Sequence, residues 1–247
     1  MKQNLKVLCV IPSRMGSTRL ARKPLALIQG KPMIQRVYER AITCSLISKV
    51  IVATDSEEIA AIIKNCGGHA VMTNPALLTG SDRVAEVAKQ YEEMEVIINL
   101  QGDEPFIKAS MLEALLTPYL NGENPELSTL AYPLDMNTAY QSSDAVKVIT
   151  DLKGNALYFS RSPIPYLRNQ SPIPLPVYHH MGVYAFKREA LLKFTKLAQT
   201  PLEISESLEQ LRALENGWKI RVCPIKEKTL EINTPEELAR AQGFKND

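Results

Sequence analysis

Val7-Leu8-Cys9-Val10-Ile11-Pro12-Ser13-Arg14-Met15-Gly16-Ser17-Thr18-Arg19-Leu20-Ala21-Arg22-Lys23-Pro24 is the stretch on which the reading of the chain turns. Its first five residues are apolar and rich in β-branched side chains, and the run stops at Pro12, as a buried strand does. The loop that follows carries four cations, Arg14, Arg19, Arg22 and Lys23, and no acidic residue occurs between Met1 and Gln35. Ser13, Ser17 and Thr18 offer hydroxyl donors. Gly16 permits backbone angles that turn amides inward, and arginine forks match phosphate oxygens. A strand opening into such a turn reads as a phosphate site. The plain alternative is a solvated basic loop. Position favours the first reading, because open α/β sheets bind ligands beyond the carboxyl ends of their strands. The glycine spacing fits neither a P-loop nor a Gly-x-Gly-x-x-Gly turn.

The 247 residues are 45% apolar and 23% charged, with a formal net charge of +2. That balance suits a soluble α/β chain of one large domain or two small ones. The basic excess is local to the first loop and has no matching aromatic surface, so a nucleic-acid partner is not expected. Cys9, Cys44, Cys66 and Cys223 are widely spaced and read as free thiols of a reducing cytoplasm. Neither membrane insertion nor secretion is expected, since no apolar run reaches spanning length and no leader pattern is evident. No histidine or cysteine cluster has zinc-site spacing.

Strands and helices then alternate. Met33, Ile34, Val37, Tyr38 and Ala41 recur at helical spacing after Pro32, which suits a first helical position. Residues 50–54 read as a second buried strand, followed by a helix that Asp55 caps and Glu58 completes; 70–72 is a short strand. This β-α-β-α-β order marks a parallel sheet. A loop over 73–83 leads into a helix beginning near Ser81. The run 96–100 is assigned to a central strand and leads straight into Gln101-Gly102-Asp103-Glu104-Pro105. A carboxylate at the mouth of such a strand is costly unless paired or solvated, and α/β enzymes often hold metal there. Asp103 is therefore the leading metal-ligand candidate; a simple turn leaves two acids beside a cationic loop without a reason.

Further on, a helix is expected over 108–120, a strand over 128–133, and a hairpin from 145–150 and 156–159. The proline-rich segment 160–176 reads as a mobile lid or a linker. A strand over 177–186 carries His179 and His180 on opposite faces. Helices over 188–197 and 205–216 flank a loop around Pro201. A strand over 220–223 precedes a last helix announced by Thr234-Pro235-Glu236-Glu237.

Three stretches in this order, Ile11-Pro12-Ser13-Arg14 through Lys23-Pro24-Leu25, Asn99-Leu100-Gln101-Gly102-Asp103-Glu104-Pro105 and Leu208-Glu209-Gln210-Leu211-Arg212, carry a resemblance. The chain resembles the 3-deoxy-manno-octulosonate (Kdo) cytidylyltransferase family of sugar nucleotidyltransferases. Val52-Ala53-Thr54-Asp55, Gly80-Ser81-Asp82-Arg83, Ala156-Leu157-Tyr158-Phe159-Ser160-Arg161 and His180-Met181-Gly182-Val183-Tyr184 extend it over almost the full length. The resemblance implies a three-layer α/β/α fold with a mostly parallel central sheet of the nucleotide-diphospho-sugar transferase type. It implies a single domain over 1–247, with about 128–186 forming a subsidiary sugar-binding and dimerisation lobe. It further implies a cytoplasmic homodimer that uses Mg²⁺ to join CTP to the anomeric hydroxyl of Kdo, releasing pyrophosphate and supplying lipopolysaccharide synthesis.

By the same resemblance, Arg14, Lys23 and Asp103 form the catalytic set, Asp103 holding the metal. Ser13, Ser17, Thr18, Arg19, Thr73 and Gln101 seat the nucleotide, while Arg161, His180, Tyr184, Glu209 and Gln210 meet the acidic sugar. Without it, Tyr184 reads as a packed strand aromatic and His180 as a satisfied or solvent-facing histidine. Glu209 and Gln210 then read as surface positions on a helix whose Leu208 and Leu211 face inward.

Two departures stand out. The family usually has Pro-Gly before the lysine of the first loop, where this chain has Ala21-Arg22. It usually has a metal-binding aspartate where Asn233 stands. Asparagine keeps an oxygen donor but loses a charge that a hard cation favours. Glu231, two positions earlier on what reads as a strand face, is expected to compensate in part. The alternatives left open are a cytidylyltransferase for another acidic sugar, such as 8-amino-Kdo or a nonulosonate, and a nucleotide-binding homologue with weakened activity.

Overall fold

Strand β1 (Val7–Ser13) is buried along nearly its whole length, as its unbroken apolar run requires of a strand with neighbours on both sides. The computed structural model describes residues 5–16, 19–169, 176–226 and 228–244. They divide into two compact units, one of residues 1–113 with 229–247, the other of residues 114–228. The region 128–186 lies within the second.

In the first unit, β1 is followed by a 3-10 turn over Lys23–Leu25 and a small ribbon of β2 (Leu27–Ile28) and β3 (Lys31–Pro32). Helix α1 (Met33–Ala41), strand β4 (Lys49–Thr54), α2 (Glu57–Asn65), β5 (Ala70–Met72), α3 (Gly80–Ala88) and β6 (Val96–Asn99) come next. β1 pairs in parallel with β4 and with β6, and β4 in parallel with β5. The parallel sheet expected from the alternation is therefore present, with β1 between β6 and β4. Pro32 precedes α1 rather than opening it. Asp55 does not cap α2: Ser56 does, accepting from the Ile59 amide, while Asp55 pairs with Arg83 and Glu58 with Arg22. The shorter serine reaches the orphan amide, and the aspartate is drawn to a buried guanidinium.

Helix α4 (Ala109–Leu120) leads into β7 (Leu127–Pro133), β8 (Lys147–Thr150), β9 (Ala156–Ser160) and β10 (Val177–Lys187). Helices α5 (Arg188–Phe194), α6 (Pro201–Glu206) and α7 (Leu211–Glu215) follow, then β11 (Ile220–Pro224). β7 is antiparallel to β10 and parallel to β11, and the β8–β9 hairpin joins the start of β10. The register of β10 against β7 slips between Met181 and Tyr184, and the Thr129 hydroxyl fills the gap by bonding the Met181 and Val183 carbonyls.

The single helix expected over 205–216 is two short helices. Pro201, expected in a loop, opens α6 behind Thr200, whose amide donates to Glu203 Oε2 at 3.2 Å. Ser207 then takes left-handed angles (φ 52°) that stop it. A buried ion pair, Arg212 Nε to Glu203 Oε2 at 2.8 Å, ties α6 to α7. Glu209 and Gln210 consequently stand in the turn before α7, not on a helix, while Leu208 and Leu211 are buried as expected.

The last helix, α8 (Pro235–Gln242), has the capping box of Thr234 and Glu237 anticipated for it. Ile232 and Ala241 share an apolar cluster with Ile28, Met33 and Phe106. This cluster anchors the C-terminal segment within the first unit. The four cysteines are free, and among the described residues no helix is long and apolar enough to cross a membrane.

Candidate active site

At the carboxyl end of β1 lies an open cavity of about 380 Å³, lined by Pro12, Ser13, Arg14, Gly16, Arg19 and Lys23 from the first loop. Thr79, Gly80 and Arg83 of α3 and its approach, Gln101, Gly102 and Asp103 after β6, and Asn233 complete its polar lining. Local backbone constraints bring these groups together. A Cβ at position 102 would meet the Pro12 carbonyl oxygen at 3.2 Å, so glycine lets the Asp103 loop lie against the end of β1. The Ile232 amide donates to the Asp103 carbonyl at 3.1 Å, and the Thr229 hydroxyl donates to Glu104 Oε2 at 2.9 Å. These two bonds fasten the segment before α8 to the Asp103 loop and place Asn233 opposite Lys23.

The ammonium of Lys23 donates to Asp103 Oδ2 at 2.6 Å and to Asn233 Oδ1 at 2.7 Å. Arg19 Nη2 reaches the same Asn233 oxygen at 3.0 Å, and the Asn233 amide nitrogen turns to Glu231. Residues 231–233 are not in a strand, so the expected shared strand face does not exist; the side chains meet through an irregular turn instead. Asp103 Oδ1 and Ser13 Oγ are buried and have no hydrogen-bond partner among the described residues. An orphaned carboxylate oxygen beside an amide oxygen and a second carboxylate suits a hard divalent cation, and the orphaned hydroxyl suits an oxyanion. No group of three or more histidine, cysteine or acidic side chains able to hold a metal occurs among the described residues.

Burial first, and then neighbouring acids, raise two carboxyl pKa values here. Glu104 is pushed well up by burial, then by the charges of Glu231 and Asp103. Although much of the Glu231 residue surface is open, packing around its carboxyl, then Asp103, pushes it up as well. Arg22 holds left-handed angles (φ 52°) that glycine adopts more readily.

Ser13, Arg14, Arg19, Lys23, Gln101, Asp103 and Asn233 thus line one cavity. Thr73 does not line it. Its hydroxyl donates to the Thr54 carbonyl at 3.1 Å and receives the Arg83 guanidinium, which does reach the cavity. Ser17 and Thr18 lie outside the described residues, as do 170–175 of the expected lid. Sequence reasoning missed Arg83, which is 3% exposed and bonded to Asp55 Oδ2 at 2.8 Å, and the buried Glu104. The only signal for them was their presence within two of the quoted motifs.

In the second unit, β10 and the turn before α7 bring His180, Tyr184 and Gln210 together. The Tyr184 hydroxyl donates to Gln210 Oε1 at 3.2 Å. The Gln210 amide nitrogen approaches His180 Nδ1 at 3.5 Å, and His180 Nε2 lies 3.0 Å from the Thr129 hydroxyl. This order of donors assigns the neutral Nε2–H tautomer, with the Thr129 proton passed on to the Val183 carbonyl at 2.9 Å. Phe159 packs edge-on against the imidazole, centroids 4.8 Å apart. Burial, then His179, pushes the His180 pKa down to about 3, and burial, then Glu209, pushes Tyr184 up. His179, on the other face, stacks on Tyr132. Glu209 lies 3.9 Å from Arg212. Arg161 follows β9: its amide donates to Glu206 Oε2, its Nε to the Glu206 carbonyl, both at 2.9 Å, and its Nη1 to the Ser143 carbonyl at 3.0 Å.

Comparison with known proteins agrees with these features. The profile of the Cytidylyltransferase family matches residues 8–221. A 3-deoxy-manno-octulosonate cytidylyltransferase of Acaryochloris marina is 51% identical over 97% of both chains. One of Trichlorobacter lovleyi is 42% identical over 96% of this chain and 98% of its own. A solved CMP:2-keto-3-deoxy-manno-octonic acid synthetase complexed with CTP superposes with a TM-score of 0.90 at 39% identity, over 96% of this chain and 97% of that one. The three-layer α/β/α fold with a mostly parallel central sheet is that of the nucleotide-diphospho-sugar transferases. With the family profile, the near-full-length identity and the shared fold in agreement, the chain belongs to the 3-deoxy-manno-octulosonate cytidylyltransferases.

Proposed function

We propose that this protein transfers the cytidylyl group of CTP to the anomeric hydroxyl of Kdo, giving CMP-Kdo and pyrophosphate. The observation that carries the reading is the single cavity shared by Arg14, Arg19, Lys23 and Asp103. Attack on the α-phosphate demands alignment and charge neutralisation more than a covalent nucleophile. The cations of the first loop supply the neutralisation, and Ser13 Oγ supplies a buried donor free to turn to a phosphate oxygen. Lys23 gives up its contacts with Asp103 and Asn233 when it takes a phosphate, which leaves those oxygens available.

Mg²⁺ is the metal this donor set fits, because it is typically held by one or two carboxylates together with substrate phosphates. Asp103, Asn233 and Glu231 would hold it, and it would supply Lewis-acid polarisation of the phosphate and a lower pKa for the attacking hydroxyl. Arg161, His180, Tyr184, Glu209 and Gln210 serve the sugar acid: the guanidinium pairs with its carboxylate, and the neutral amide, imidazole and phenol orient its hydroxyls. Four free thiols suit a reducing compartment, the cytoplasm. Exposed apolar side chains of the second unit, Leu157, Tyr166 and Ile204 among them, suit a homodimer, which light scattering checks as a doubled mass.

Pyrophosphate release with CTP, Mg²⁺ and a panel of sugar acids tests the assignment. Release with Kdo above all others is expected. Preference for 8-amino-Kdo or a nonulosonate would reassign the substrate. No release from a folded sample that binds CTP would leave a nucleotide-binding homologue.

A further inference from the structure

Lys147 sits on β8 with its residue surface wholly buried; the charge of Glu206 favours its ammonium, without an ion pair between them among the described residues. A buried ammonium is retained only where other groups replace its water. Here three backbone carbonyls do so: those of Ser142 at 2.7 Å, Ala145 at 2.8 Å and Arg161. The first two belong to the loop before β8, and the third follows β9. One side chain therefore fixes the 142–145 loop and the Arg161 backbone in a common frame. The same loop presents the Ser143 carbonyl to Arg161 Nη1 at 3.0 Å. Arg161 is thus held at its carbonyl by Lys147, at its amide and Nε by Glu206, and at Nη1 by a loop that Lys147 anchors. Its Nη2 keeps no hydrogen bond among the described residues, so the open side of the fork is aimed by a backbone that Lys147 fixes.

The geometry points to Lys147 as a positioning residue for sugar-acid binding: it orders the 142–145 loop and the Arg161 carbonyl so that the guanidinium is held ready for a carboxylate. It rests on the reading of Arg161 as the carboxylate-binding residue. A purely structural lysine would be expected to affect stability and both substrates alike. A positioning lysine affects one substrate.

The test is steady-state kinetics on the full chain with Lys147→Met, which keeps the apolar stem and removes the three donors, and Lys147→Gln, which keeps two. Three charge-assisted bonds are at stake, so KM for the sugar acid is expected to rise ~tenfold or more in Lys147→Met and less in Lys147→Gln, with kcat and KM for CTP within ~twofold. In an Arg161→Ala background, Lys147→Met should add less than ~twofold, because the two act through one group. An equal rise in KM for CTP and sugar acid, or no rise in either variant, overturns the proposal; if Lys147→Met does not fold, Lys147→Gln decides by the same criteria. Arg161→Ala with an unchanged KM for the sugar acid would instead overturn the reading of Arg161 itself. Arg161→Ala with a raised KM, beside unaltered Lys147 variants, would overturn only the role of Lys147.

Discussion

In the first unit, Lys23, Arg19, Asp103 and Asn233 meet in an open cavity where cation and carboxylate satisfy each other while a further carboxylate oxygen and a hydroxyl stay unbonded. In the second, His180 and Gln210 are buried, and a run of neutral hydrogen bonds joins them to Tyr184 and Thr129. A triphosphate is recognised by charge, and charges can be held ready near water because they lend each other partners until the ligand arrives. Sugar hydroxyls are recognised by neutral groups, whose donor order must be fixed beforehand because each unpaired group costs free energy when buried. The two regions should therefore fail differently when perturbed.

The largest effect is expected at Asp103. On its proposed role as the carboxylate that holds the cation, Asp103→Ala should lower kcat by ~10³-fold or more. A loss below tenfold in pyrophosphate release would dismiss Asp103 as the metal-holding residue. Lys23→Met should cost ~10²-fold in kcat/KM for CTP, the scale of one preorganised donor on a transferring phosphoryl group. Raising salt should weaken CTP more than the sugar acid, because the first cavity is open to screening ions. Parallel salt curves for the two substrates would erase the contrast.

A smaller effect is expected when the amide at position 233 is exchanged for a carboxylate. Asn233 directs its oxygen at Lys23 and Arg19 and its nitrogen at Glu231. Glu231 is thus the neighbouring carboxylate able to restore the missing charge. Glu231→Gln should raise the Mg²⁺ concentration for half-maximal rate several-fold, and Asn233→Asp should lower it, by ~0.5–1 kcal/mol of electrostatic gain. Titrations that overlay the parent chain in both variants would show that neither side chain touches the metal.

Much of this was legible in the chain because it is local. The apolar runs at Val7 and Val96 are strands wherever they sit, and the cations after Pro12 fall on the same loop in any fold. The Thr234–Glu237 box needs only three residues to read. What was not legible depends on partners far away. Asp55 loses its capping role to Ser56 because Arg83, 28 residues on, draws it off. Ser207 breaks the helix expected over 205–216, and the Glu203–Arg212 pair then folds the two halves together. Lys147 reads as one residue of an expected hairpin arm until its three carbonyl partners are seen. The Glu231–Asn233 contact was anticipated for the wrong reason, since a turn rather than a strand brings them together.

The finest test of the contrast concerns a proton. Burial holds the His180 pKa at about 3, whereas an unfolded chain takes up that proton near pH 6.5. The folded value is depressed, so the stability that follows from keeping His180 neutral is fully present above pH 6.5. It is lost as pH falls through that window towards 3, because the unfolded state then binds the extra proton. The slope contributed by one such group is about 1.4 kcal/mol per pH unit. Chemical denaturation at a series of pH values should therefore show the parent chain losing stability faster than His180→Gln between pH 6.5 and 3. Above pH 7 the two curves should run parallel, and the His179 contribution, present in both proteins, cancels in the comparison. Neutral His180 also predicts that the sugar-acid KM shows no inflection of its own near pH 6.5. Curves that stay parallel down to pH 4 would mean the imidazole is protonated inside the fold, and the neutral hydrogen-bond order built on it would have to be reversed.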